Sequence, residues 1–170
     1  MEIIKLHRLP LVPAPDLGRL FGPRRGPSAP CADHRQLVRA AEQLEVVTED
    51  PRLLRCALTD PGWCNEATTP PWVQPWPGNR ALAEAGAPAL GALKIDATSL
   101  LERACATSLW QHLWLARGQR ALTGADRRAI LIRGMTALAG AILQDTGGVH
   151  SATHLRVERL MGREDAAPRP

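Results

Sequence analysis

The chain has 170 residues, 45% of them hydrophobic and 22% charged, with a net charge of +4. These are ordinary values for a globular chain and allow one domain with a core of its own. They exclude a disulfide scaffold, because four cysteines are too few, and no segment approaches the ~18 apolar residues of a membrane span.

Residues 1–30 read as an extended, basic arm. Pro10, Pro13, Pro15, Pro23, Pro27 and Pro30 break any helix there. Arg24 and Arg25 form its basic centre, "PRRGP". The N-terminus lacks a signal-peptide core and cleavage site, so a cytoplasmic address is the expectation.

Helical signals begin at residue 31. Asp33 is placed as an N-cap with Gln36 three residues on, and Leu37, Ala40, Ala41 and Leu44 keep helical spacing to about Val47. Asp50-Pro51 restarts a short helix that stops near "TDPG". Residues 61–95 form a Pro/Trp-rich strap, with Trp63, Trp72 and Trp76 among prolines 70, 71, 75 and 77. Inside it, Asn79 caps a brief turn that ends at Gly86, and "LGALKID" could be a short strand.

Residues 96–162 form the helical core. Asp96 starts a long helix from Ala97 to Arg117, closed by Gly118. Thr123 starts another that runs to about Gln144, with Leu131, Met135, Leu138 and Ile142 as its core stripe. Gly134, Ala137, Gly140 and Ala141 give that helix small neighbours for close approach. A last helix covers Val149 to Met161, and 163–170 is a loose tail. The fold class is therefore all-α: a single helical-bundle-like domain with a Pro-rich arm and a long Pro/Trp-rich connection.

Charge falls in blocks along the chain. Residues 1–39 carry net +4, 40–60 carry −3, and 117–133 carry +4. On a continuous helix, Arg103, Trp110, Trp114 and Arg117 share one face, two indoles between two guanidiniums. Indoles stack bases and arginines neutralise phosphates. Arg120, Arg127 and Arg128 extend the charge past the following turn. The bland alternative is that a central helix buries both faces, with the tryptophans in the core.

Cys31-x-x-His34, Cys56 and Cys64 supply three thiols and an imidazole, a set that could bind zinc tetrahedrally. The spacing between the last two matches no common knuckle, and ordinary buried thiols are the alternative. His150 and His154 share a helix face with Val157 and Met161, without the H-E-x-x-H placement of a metalloprotease. No phosphate loop and no G-x-S-x-G elbow is present.

The leading reading is a non-enzymatic helical subunit of a larger protein or ribonucleoprotein assembly, contacting nucleic-acid backbone through Arg/Trp surfaces. A small basic helical chain of this size is similar in general type to the small subunits of multi-protein RNA-guided complexes. That similarity is one of size and class. A protein–protein adaptor or assembly factor would use the same residues as interface anchors. A small zinc-binding domain or metal-dependent enzyme would use the Cys/His set.

Overall fold

A computed structural model describes residues 32–66 and 78–163. They are all-α. The elements in chain order are α1 (Ala32–Leu44), α2 (Pro51–Leu58), α3 (Pro61–Glu66), α4 (Arg80–Ala92), α5 (Ala97–Ala106), α6 (Leu109–His112), a 3-10 turn (Arg117–Ala121), α7 (Gly124–Asp145) and α8 (His150–Leu160). Among these residues there is no strand, only an isolated parallel bridge between Thr59 and Trp114. The arm at 1–30 and the strap's Trp72 and Trp76 lie outside the described residues.

The long helix α7 is the axis. Leu131, Met135, Leu138 and Ile142 are all buried, as the stripe requires. They join Leu44, Leu53, Leu58, Leu109, Val157 and Leu160 in one core. Helices α2, α4, α5 and α8 pack around α7.

The closest neighbour of α7 is α4, and here the sequence expectation is corrected. Gly86 does not end a brief turn. It sits buried inside a helix that continues through Pro88 to Ala92. Asn79 does not cap that helix through its side chain. Its amide is buried and Nδ2 donates to the Ala57 carbonyl at 3.2 Å, while its backbone N–H donates to Thr59 O at 2.8 Å. The "LGALKID" stretch is the end of α4 and a turn, with Lys94 at φ 52°, not a strand.

Gly86 and Gly140 mark the crossing of α4 and α7. A Cβ on Gly86 would lie 2.6 Å from the backbone N of Gly140, and one on Gly140 would lie 2.8 Å from the Leu82 carbonyl carbon. The backbones therefore meet where neither has a side chain. Each glycine lowers helix propensity by about 1 kcal/mol relative to Ala. The return is close contact along both helices, flanked by Leu82, Ala85, Ala89 and Leu90 on one side and Ala137 and Ala141 on the other.

Other boundaries moved for local reasons. Helix α1 already includes Ala32, so Asp33 lies within its first turn. The helix stops at Leu44, where Glu45 turns to φ 54°. Asp50 caps α2 as expected, accepting from Arg52 N at 3.0 Å. Asp96 caps α5, accepting from Ser99 N at 2.7 Å.

The predicted helix from Ala97 to Arg117 is broken. Thr107 bonds back to the Arg103 carbonyl through both its N–H and its hydroxyl, and Ser108 adopts φ 54°. Such back-bonding offers the chain an exit from the helix. One turn follows, then residues 113–116 run extended. Trp114 N–H donates to Leu58 O at 2.9 Å, and its carbonyl accepts from Asp60 N at 3.0 Å.

Gly86→Ala places a methyl against backbone that cannot rotate away. We expect a loss of about 3 kcal/mol of stability, at the upper end for overpacking. Gly91→Ala, on the same helix with nothing within 4 Å of the added carbon, should be neutral or stabilising by up to about 1 kcal/mol. Urea unfolding of the two variants checks the contrast.

Candidate nucleic-acid interface

The break after Ala106 rearranges the proposed Arg/Trp face. Arg103, Trp110, Trp114 and Arg117 do not line one helix. Arg103 turns inward, with its side chain only 18% exposed. Its Nε donates to the Leu160 carbonyl at 2.7 Å, and Nη2 pairs with Glu45 at 2.7 Å. It ties α5 to the C-terminal end of α8, where carbonyls lack intrahelical partners.

Trp110 and Trp114 are half-buried and pack against the core, so the bland alternative holds for one side of each. Each also carries a guanidinium over its ring. Arg127 of α7 lies 4.7 Å from the Trp110 ring centroid, and Arg55 of α2 lies 5.8 Å from that of Trp114. The tertiary structure thus replaces one four-residue stripe with two Arg–Trp pairs, each joining different elements.

The basic residues downstream lie close together in sequence. Arg117 and Arg120 are exposed on the 3-10 turn, and Arg127 and Arg128 are exposed in the first turns of α7. Asp126 is the acidic residue in that first turn. Arg120, Arg127 and Arg128 form no ion pair among the described residues, whereas Arg52, Arg80, Arg103, Arg133 and Arg156 all do. Arg24 and Arg25 lie outside the described residues.

A buried polar knot holds this basic corner in place. Asp60 is 1% exposed and forms an ion pair with Arg133 of α7. Its Oδ1 also accepts from Gln119 Nε2 at 2.8 Å and from Gly62 N at 2.8 Å. Gln119 Oε1 in turn accepts from Ala116 N at 2.9 Å, at the start of the 3-10 turn. A Cβ on Gly62 would lie 2.9 Å from the Gln119 side chain, so glycine leaves room for that amide. A second knot centres on Asp145, whose side chain is 2% exposed. It accepts from the backbone N–H groups of Glu49 and Asp50 at 2.9 and 3.1 Å and pairs with Arg156 at 2.6 Å. Sequence reasoning missed both carboxylates. In the sequence Asp60 belongs to a turn signal and Asp145 to a helix end, and nothing local marks either as buried.

The thiols separate by environment. Burial pushes the Cys56 thiol up to about 12, with the nearby Cys64 adding to it. Burial also raises Cys64, with Asp60 adding to it. Two of the four proposed zinc ligands thus lie within electrostatic reach of each other. Cys31 and the His34 side chain lie outside the described residues. Among those residues no group of three or more His, Cys, Asp or Glu converges on one point.

The histidines are likewise dispersed. His150 and His154 lie with ring centroids 6.2 Å apart and planes tilted by 55°, and His154 Nδ1 lies 3.2 Å from a Glu158 carboxylate oxygen. His112 bonds Gln43 Oε1 at 2.6 Å through Nε2, and burial lowers its pKa.

No helix of the described residues is long and apolar enough to cross a membrane. No family model matches the sequence, and no curated protein or solved structure is significantly similar to it.

Two outcomes follow from these environments. In the folded chain an alkylating reagent at neutral pH should label the exposed Cys105 within minutes and leave Cys56 unlabelled until denaturant is added; mass spectrometry of time points reads this. His112 is held toward its neutral form, so the unfolded chain binds more protons than the folded one as pH falls below about 6.5. Its contribution is complete above that pH and is lost as pH falls through the lowered folded value. His112→Gln should flatten this part of the stability–pH curve, measured by thermal melts from pH 7.5 to 5.

Proposed function

We propose that this chain is a non-enzymatic helical subunit of a larger assembly, and that it contacts nucleic-acid backbone through Arg117, Arg120, Arg127 and Arg128. One observation carries the reading. The fold pairs Arg52, Arg103, Arg133 and Arg156 with carboxylates, yet Arg120, Arg127 and Arg128, exposed within one stretch of chain, form no ion pair among the described residues. Clustered exposed guanidiniums repel one another, and a polyanion removes that repulsion. The Asp60–Gln119–Arg133 knot anchors the turn that carries two of the four. A turn held in place loses less entropy on docking than a flexible one.

Contacts of this kind go to phosphates and carry little sequence information. Neutralising about four phosphates gives a log–log salt slope near −3. Affinity for a labelled oligonucleotide should therefore fall roughly 50-fold between 50 and 200 mM salt. The variant Arg117→Glu, Arg120→Glu, Arg127→Glu, Arg128→Glu should lose binding while keeping its helical circular dichroism. No measurable binding by the full chain at low salt would sink the reading. If the variant instead fails to enter its complex in nuclease-treated extract, the surface serves a protein partner and the adaptor reading replaces this one.

A further inference from the structure

We infer that the nucleic acid this surface takes is single-stranded, with Trp110 as the stacking platform for an unpaired base and Arg127 as a guanidinium cover displaced from it. The inference rests on the proposed function and narrows its ligand.

Trp110 is held from below. It sits on the single turn α6, between the buried Leu109 and Leu113, and packs against the core. It is nevertheless only half-buried, and above its ring lies an exposed arginine rather than a core side chain. Arg127 makes no ion pair among the described residues that would fix it there. A cation–π contact at an exposed site is weaker than a charge-assisted hydrogen bond to phosphate. A phosphate arriving at Arg127 and Arg128 therefore draws the guanidinium off the ring. The freed indole face then accepts the base attached to that phosphate.

Only an unpaired base has a face to offer, because bases within a duplex are stacked on one another. Trp114 is less suited to this part. Its backbone is locked between Leu58 and Asp60, and its covering Arg55 belongs to α2 and not to the basic stretch 117–128.

The test compares fluorescein-labelled 20-nucleotide oligothymidylate with a mixed-sequence duplex of the same length, titrated with the full chain at equal salt. The single strand should bind at least fivefold more tightly. Trp110→Ala should weaken single-strand binding roughly 5- to 150-fold, the range for loss of one base stack, with the salt slope unchanged. Because Trp110 also packs on the core, Trp110→Phe serves as the fold-preserving variant. It keeps a smaller ring, so it should weaken binding less than the Ala variant. Unlabelled oligothymidylate should quench the tryptophan emission of the wild type and not that of the Phe variant. Duplex binding as tight as single-strand binding, or single-strand affinity and quenching indifferent to both Trp110 variants, overturns the inference and leaves the backbone-contact reading standing. No binding to either ligand overturns both.

Discussion

The close crossing of α4 and α7 at Gly86 and Gly140 sets the geometry of everything else. Neither backbone tolerates a Cβ at that point. Once the two helices touch there, the leucines and alanines on either side are driven into mutual contact, and α7 becomes an axis with several faces already committed. Its large buried residues then recruit α2, α5 and α8 around the remaining sides. A chain with one phenylalanine and no tyrosine has little bulk with which to fill wide gaps. Close backbone approach, with small residues at the seam, is how such a composition reaches interior packing density.

The second constraint is polar. Asp60 and Asp145 are carboxylates taken almost wholly out of water, and each is satisfied by an arginine together with backbone or amide N–H donors. Removing one partner from such a set leaves an uncompensated buried charge, so these groups specify geometry strongly even where their net stabilisation is modest. Asp145 fixes the loop entering α2 against the end of α7. Asp60 fixes the link leaving α2 against the middle of α7, and through Gln119 it positions the 3-10 turn. The exposed arginines are therefore carried on a segment whose path is settled by a carboxylate remote from them in sequence. The half-buried tryptophans belong to the same region, each with an indole on the core and a guanidinium over its ring.

Much of this was legible in the residues themselves. The all-α class, the caps at Asp50 and Asp96, the stripe from Leu131 to Ile142 and the termini of α7 and α8 follow from periodicity and capping chemistry, which act within a few residues. So did the small-residue seam on α7. Its counterpart on α4 did not, because Gly86 and Pro88 signal a stop when no partner is in view. An isolated α4 would suffer from both residues. Against α7 the glycine becomes the contact, and tertiary packing outweighs the propensity deficit.

The Arg/Trp face failed for the opposite reason. The spacing of Arg103, Trp110, Trp114 and Arg117 suits one uninterrupted helix, and Thr107 and Ser108 are tolerated in many helices, so nothing local in the sequence marks the break. It forms because Trp114 is needed in extended conformation, bridging Leu58 and Asp60 on a segment more than fifty residues earlier. The sequence by itself determined the helical class, the local caps, the core stripe and the blocks of charge, since these depend on neighbours within a turn or two. Only the tertiary structure decided which glycines touch, which carboxylates are buried and which arginine lies over which indole. Those are encounters between residues far apart in the chain, fixed by packing.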